Sequence, residues 1–344
     1  MSPLDTFAAG TVIPAMPLAL TADLAFDERR QRTLVRYYLA AGAGGVAAAV
    51  HSTQFAIHTT HTHLLRPVLE LVAATARSEG DPDLVLVAGV VGETGQAVAE
   101  AELAASLGYD AVLLAPYGVG DRSEDELLDR ARAVGEVLPV VGFALQPAVG
   151  GRRHSRDYWT RLADIPSVVG VKAAPFDRYA TLDIVGGIAA SERGGQVTLY
   201  TGNDDHIVGD LVATFAHANG PGVRFAGGLL GQWSVWTHRA VEILELARQA
   251  RNGDHAARLA LDAIDGPLTD ANGAIFDVAG GFAGCVPGIH EVLRRQGLLA
   301  GTWCLDPRER MSPGQLAEID RIWAAYPHLR DDDFVAAHLD TWLA

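Results

Sequence analysis

Residues 84–115 read LVLVAGVVGETGQAVAEAELAASLGYDAVLLA, and this stretch decides the fold class. Residues 84–90 and 111–115 are short, almost wholly apolar runs, the pattern of strands buried on both faces. Residues 94–107, between them, have the length and patterning of a helix. A strand, a helix and a strand joined by short turns form a βαβ unit, whose strands lie parallel. The same alternation continues in both directions. Strands are predicted at 12–20, 45–50, 140–145, 168–172, 197–200 and 223–225. Helices are predicted at 27–41, 62–78, 123–137, 155–163, 177–191, 205–216 and 234–251, with Ser123 and Glu126 spaced as a capping box. Eight such units make an α/β chain of the closed (β/α)8 TIM-barrel class, which takes about 250 residues. An open doubly wound sheet is disfavoured, because neither Gly42–Gly45 nor Gly118–Gly120 completes a G-x-G-x-x-G turn. Residues 1–251 are therefore assigned to the barrel. Residues 252–344 lack strand periodicity and read as a C-terminal helical region, with helices at 254–269, 288–296, 312–325 and 333–343. Ser312-Pro313 is read there as an N-cap followed by proline at the first helical position.

Composition narrows the function. The chain has 344 residues, 49% of them apolar, and a formal net charge of −15. That charge disfavours nucleic acid and anionic membranes as partners. No run approaches the roughly 18 apolar residues of a membrane span. The first 20 residues lack the basic start of a signal peptide. Two cysteines, Cys285 and Cys304, make no disulfide framework. A cytoplasmic protein is expected.

Of the 27 Lys and Arg residues, 26 are arginine and one, Lys172, is lysine. Such a bias, with many Ala and Gly, is typical of GC-rich coding sequence, where positions that need only a cation become Arg. A lysine kept at one place points to chemistry that arginine lacks. Arginine stays protonated, whereas a buried lysine can give up its proton and become a nucleophilic amine. Lys172 ends the run Val168-Val169-Gly170-Val171-Lys172, at the carboxyl end of the predicted sixth strand, where barrels of this kind carry their active sites. A free amine there attacks a ketone or aldehyde, and the protonated imine that follows is an electron sink. A lysine that snorkels or pairs with a carboxylate at the rim is the other reading.

The segment Ile165-Pro166-Ser167-Val168-Val169-Gly170-Val171-Lys172 closely resembles the Schiff-base strand of the dihydrodipicolinate synthase/N-acetylneuraminate lyase superfamily. The likeness extends to Val12-Ile13-Pro14-Ala15-Met16-Pro17-Leu18, to residues 111–117 and to Thr201-Gly202-Asn203-Asp204. It implies a (β/α)8 barrel with a C-terminal helical extension. It also implies a class I aldolase or lyase that forms a Schiff base between Lys172 and a pyruvate-like 2-oxo acid, without cofactor or metal, as a homodimer or homotetramer. The family binds the substrate carboxylate with two small hydroxyl residues after strand two, where Ser52 and Thr53 stand; a helix-start turn is the other reading of that pair.

The departures imply divergence from a true dihydrodipicolinate synthase. The family follows its hydroxyl pair with Gly-Glu; here Gln54-Phe55 follows. The family's strand five ends in Tyr-Asn-x-Pro, whose tyrosine shuttles protons. Here the stretch is Phe143-Ala144-Leu145-Gln146-Pro147, so the tyrosine falls on Phe143 or Ala144. A second family tyrosine, after strand four, matches Tyr117, or Gly118 with a shift of one. A noncatalytic or repurposed 2-oxo acid binding barrel is the alternative function. The expected catalytic set is Lys172, His51 and Tyr117. The expected substrate-binding set is Ser52, Thr53, Phe143, Gln146, Tyr200 and Asn203. His51, Tyr117 and Tyr200, in that order, are the candidate proton carriers, with Tyr200, Asn203, Asp204 and His206 placed on the catalytic rim after strand seven. His58, His61 and His63 read as a solvated helix entry rather than a metal site. Trp233 and Trp236 line the entrance or pack the cap, and Asp331–Asp333 reads as a helix N-terminus.

Overall fold

In the computed structural model, residues 1–217 and 220–344 are described, and the barrel is built from eight parallel strands. They are β1 (Val12–Pro14), β2 (Gly45–Ala48), β3 (Val85–Val90), β4 (Ala111–Leu114), β5 (Val140–Leu145), β6 (Val168–Ala174), β7 (Thr198–Thr201) and β10 (Phe225–Leu230). The order β1-β10-β7-β6-β5-β4-β3-β2 closes on itself through an Ala15–Ala47 bridge. Inward side chains such as Ile13, Val85, Val87, Leu113, Val141 and Leu229 fill the interior. Alternate residues such as Val46, Leu86, Ala88 and Val112 pack outward against the helices. Residues buried on both faces explain the continuous apolar runs.

Helices α2 (Glu28–Ala40), α3 (Leu65–Glu79), α4 (Thr94–Ser106), α5 (Glu124–Gly135), α6 (Arg156–Ala163), α7 (Arg178–Ala190), α8 (Ile207–Val212) and α9 (Thr237–Arg251) surround the barrel. The Ser123–Glu126 capping box forms at the start of α5. Four helices follow: α10 (His255–Ile275), α11 (Cys285–Arg295), α12 (Gln315–Ala325) and α13 (Asp332–Leu343). Their apolar residues join one cluster with the barrel helices. α13 returns to α2, where Tyr37 and Trp342 meet with ring centroids 5.6 Å apart.

Several expectations need correction. The helix expected at 205–216 stops at Val212, and β8 (Phe215–His217) pairs antiparallel with β9 (Gly220–Val223) outside the barrel. The eighth barrel strand is not 223–225 but Phe225–Leu230. Two glycines disguised it. A Cβ at Gly227 would run into the Thr11 carbonyl oxygen, and one at Gly228 into the Leu230 side chain, so the close packing of β10 excludes larger residues. An unexpected helix, α1 (Pro3–Ala9), precedes β1; Ser2 and Asp5 form its capping box. Ser312 does not cap α12, whose N-cap is Gly314. Its hydroxyl donates instead to Asp277 (2.5 Å). Asp331–Asp333 do form a helix N-terminus as expected, with Asp331 at the N-cap of α13 and Asp332 and Asp333 in its first turn; the Asp331 carboxylate accepts from Tyr37 Oη, Gln296 Nε2 and the His238 amide.

Candidate active site

β6 runs two residues past Lys172, to Ala174. Lys172 points inward and lines a small cavity of about 50 Å³ at the carboxyl end of the barrel, with His51, Ser52, Phe143, Gln146, Asp204 and Cys285 among the other lining residues. Strand register sets Phe143 directly beside Lys172, and Lys172 Nζ lies over the Phe143 ring, 4.3 Å from its centroid. The position beside the lysine thus carries an aromatic ring without a hydroxyl; Ala144 faces outward into the shell. Burial is the main cause that pushes the Lys172 pKa below that of a free lysine, and the charges of Asp204 and Cys285 oppose it. A ring face attracts a cation by about 0.5–2 kcal/mol, less than an ammonium loses when it leaves water. Lys172 and Asp204 both line the cavity and are not joined in a salt bridge.

The loop after β2 forms the floor. Ser52 Oγ donates to the Ala15 carbonyl (2.6 Å) and borders the cavity. Thr53 Oγ1 donates to the Met16 carbonyl (2.6 Å) and accepts from the Val50 amide (3.1 Å). Thr53 therefore serves the β1–β2 seam and does not line the cavity. Gln54 sits at φ 69°, ψ 115°, a glycine-favouring conformation that costs other residues roughly 1–3 kcal/mol. Its Oε1 accepts from the Leu305 amide (2.6 Å), tying the loop to the C-terminal region.

His51 borders the cavity, but burial and then the Lys172 charge hold its pKa down at about 4. It is a neutral imidazole at pH 7, not a group poised near neutrality. Tyr117 lies farther out, stacked on Phe55 with centroids 4.3 Å apart. It lines a vestibule of about 590 Å³ together with Asp306, Arg308 and Glu309. His51, Val149 and Cys285 line both spaces and form the boundary between them.

Besides Thr53, two more expected site residues lie elsewhere. Tyr200 is in register with Lys172, but its hydroxyl donates to the Phe7 carbonyl (2.7 Å) and accepts from the Thr11 amide (3.1 Å). It reaches the amino end of the barrel, not the catalytic rim. Asn203 is buried behind the wall. Its Nδ2 donates to Thr181 Oγ1 and Asp210 Oδ2, and its Oδ1 accepts from the Phe176 amide. Asn203 thereby pins Phe176, a cavity residue at φ 50°. Its packing partner Phe282, at φ 68°, comes from the C-terminal region, with ring centroids 5.6 Å apart.

Sequence reasoning placed Asp204 on the rim but not at the centre. It is 8% exposed, and Oδ1 accepts a long hydrogen bond from the Gln232 amide (3.4 Å). Phe276, Cys285 and Ile289 were missed as cavity walls; they arrive from the C-terminal helices, and no local sequence signal marks them. Trp233 and Trp236 are buried packing residues, Trp236 facing Trp323 with centroids 6.3 Å apart. His58 is not solvated: it is buried with Nδ1 3.0 Å from Glu100 and Nε2 2.8 Å from the Ala49 carbonyl oxygen. His61 and His63 are exposed. Among the described residues, no three His, Cys, Asp or Glu side chains converge as a metal site, and no helix is long and apolar enough to cross a membrane.

Comparison with known proteins agrees with this architecture. A 4-hydroxy-tetrahydrodipicolinate synthase of Bifidobacterium longum is 26% identical over 208 residues, which cover 58% of this chain and 62% of that protein, less than two thirds of its length. Similar folds include a dihydrodipicolinate synthase from Acinetobacter baumannii solved with pyruvate, with TM-score 0.73 and 19% identity over 92% of this chain and 98% of that one. An N-acetylneuraminate lyase from Mycoplasma synoviae gives TM-score 0.67 and 16% identity over 93% and 98% of the two chains. The profile of the dihydrodipicolinate synthetase family matches residues 8–221, and the chain belongs to that family.

Proposed function

We propose that this protein is a lyase or aldolase that joins Lys172 to a pyruvate-like 2-oxo acid as a protonated imine. The observation that carries this reading is the lone lysine of the chain, its amine at the carboxyl end of the barrel, free of any ion pair and facing a small cavity. Burial shifts it toward the neutral amine, the form that attacks a carbonyl. The cavity beside the amine is small, which favours a short substrate over a bulky one, and pyruvate is the molecule bound in the Acinetobacter structure. In this reading Ser52 meets the carboxylate, Phe143 and Gln146 form the walls, and the vestibule beside Tyr117 admits the second reactant. The enzyme is cytoplasmic, needs no cofactor, and works as a homodimer or homotetramer. Residues 1–251 form the barrel and residues 252–344 a helical region that closes its mouth.

Borohydride trapping tests the imine. Incubation with pyruvate and sodium borohydride should add one adduct to the peptide containing Lys172. The N-terminal amine, bound to Asp83 at 2.9 Å, is the only competing amine, and an adduct confined to it would sink the reading. Phe143 in the tyrosine's place favours a second reading, a barrel that binds 2-oxo acids without turning them over. Trapping at Lys172 without turnover across a panel of aldehydes would select that one. Pyruvate with aspartate semialdehyde should give little product, since the site diverges from a true dihydrodipicolinate synthase.

A further inference from the structure

Imine formation needs a proton carrier, because the carbonyl oxygen must leave as water. The phenol expected for that task is absent opposite Lys172, where Phe143 stands. Among the three carriers named from sequence, Tyr200 lies at the other end of the barrel and Tyr117 lines the vestibule but not the lysine cavity. His51 reaches the cavity, but as a neutral imidazole it has no proton to spare beyond its one N–H.

We propose that Asp204, across the cavity from Lys172, is the general acid–base of imine formation. This rests on the Schiff-base reading above and deepens it. Asp204 is the only carboxylic side chain among the cavity-lining residues. Among the described residues its carboxyl takes part in one hydrogen bond, the long one it accepts from the Gln232 amide, so the carboxyl keeps acceptor and donor capacity for a bound molecule. Asp204 and Lys172 line the same cavity without forming a salt bridge, and the substrate would enter the space they share.

The step balances. The neutral Lys172 amine adds to C2 of the 2-oxo acid, forming the N–C bond while the carbonyl π pair moves to oxygen. One proton moves from nitrogen to that oxygen through the Asp204 carboxyl. A second, from the Asp204 acid, converts the hydroxyl into water, which departs as the nitrogen lone pair forms C=N. The products are water, a protonated imine and the Asp204 carboxylate, so net charge is conserved. The starting forms are an amine and a carboxylic acid. Burial favours both, pushing Lys172 down and Asp204 up. The groups that face Asp204 are Lys172 from β6, His51 from the loop after β2, Cys285 from α11 and the adjacent Asp205. Of these, Lys172 alone is a cation that could pull the carboxyl back to its ionised form.

The test is the rate of imine formation with pyruvate, read by rapid quench into borohydride across pH. The wild-type rate should be bell-shaped, with limbs belonging to the Lys172–Asp204 pair as a unit. Asp204→Asn should lower the rate at neutral pH by about 10²–10⁴-fold, the usual contribution of such a group. Its profile should lose the alkaline limb and rise to a plateau, while the adduct still maps to Lys172. Formate should speed Asp204→Ala at least tenfold, a rescue that a purely structural carboxylate would not show. A wild-type profile that rises to a plateau overturns the proposal even if neither variant folds. An Asp204→Asn rate within about twofold of wild type overturns it too. If the wild type traps no 2-oxo acid at all, the Schiff-base reading fails first and takes this one with it.

Discussion

The two ends of the barrel share one layer of residues and use it in opposite ways. Register places Phe143, Lys172 and Tyr200 side by side on β5, β6 and β7. Tyr200 reaches the amino end, where Phe7 of α1 stacks on its ring with centroids 4.5 Å apart. There the phenol both donates and accepts, and the end is sealed and satisfied. Lys172 reaches the carboxyl end, where it has an aromatic face and a cavity instead of an ion pair. Gln54, Phe176 and Phe282, all at positive φ, surround or flank that end. The amino end is built for stability, whereas the carboxyl end holds groups away from their most stable state, as sites of chemistry often do.

Changes at the two ends should separate activity from stability. The largest effect is expected at Lys172. Lys172→Met should abolish trapping while leaving the thermal midpoint equal to or above wild type, because an unpaired buried amine is replaced by an apolar chain of similar length. Lys172→Arg should likewise lose covalent catalysis by orders of magnitude, since guanidinium stays protonated. Turnover of the confirmed substrate and a melting curve check both variants. Wild-type turnover in either one would remove the imine from the mechanism.

Phe7→Ala probes the opposite end. Removing a buried aromatic ring should cost about 3–5 kcal/mol in urea unfolding, with Lys172 still fully trapped at saturating pyruvate. If trapping falls in step with stability, the ends are coupled and the contrast fails.

Acid should act on the buried histidines. Burial holds His290 down at about 4, against about 6.5 when unfolded. Between those values the unfolded chain binds more protons, so stability rises with pH. The contribution is complete above about pH 6.5 and is lost as pH falls toward 4. For one such histidine that amounts to on the order of 3 kcal/mol. Denaturation midpoints at pH 7, 5.5 and 4.5 should fall steadily, and His290→Gln should flatten that fall.

Smaller effects sharpen the assignment of roles. Tyr200→Phe should cost about 1–3 kcal/mol by stranding the Phe7 carbonyl and the Thr11 amide, and should leave the trapping rate unchanged. A slowed imine step in this variant would restore Tyr200 as a proton carrier. Phe143→Tyr puts a phenol back beside Lys172. It should recover several-fold of the imine rate lost in Asp204→Asn and do little in the wild-type background.

Much of this was legible locally. The periodic runs of residues 84–115 announced the parallel barrel because buried strands and amphipathic helices differ in length and pattern. The lone Lys172 announced its place because a single lysine at the end of an apolar run stands out against 26 arginines. The glycine-rich β10 escaped because packing against Thr11 and Leu230 removed the side chains that mark a strand. Asn203, Tyr200 and Thr53 were misplaced for a different reason: a strand position tells which end of the sheet a residue is near, but not where its side chain finds its hydrogen bonds. Sequence alone thus determined the fold class, the family and the lysine, all properties of local pattern. Only the tertiary structure decided that Asp204 shares the lysine's cavity and that Phe276, Cys285 and Ile289 close it from helices about 100 residues downstream. Those meetings depend on how distant segments pack, and burial, which sets the charge states of the pair, exists only once they have packed.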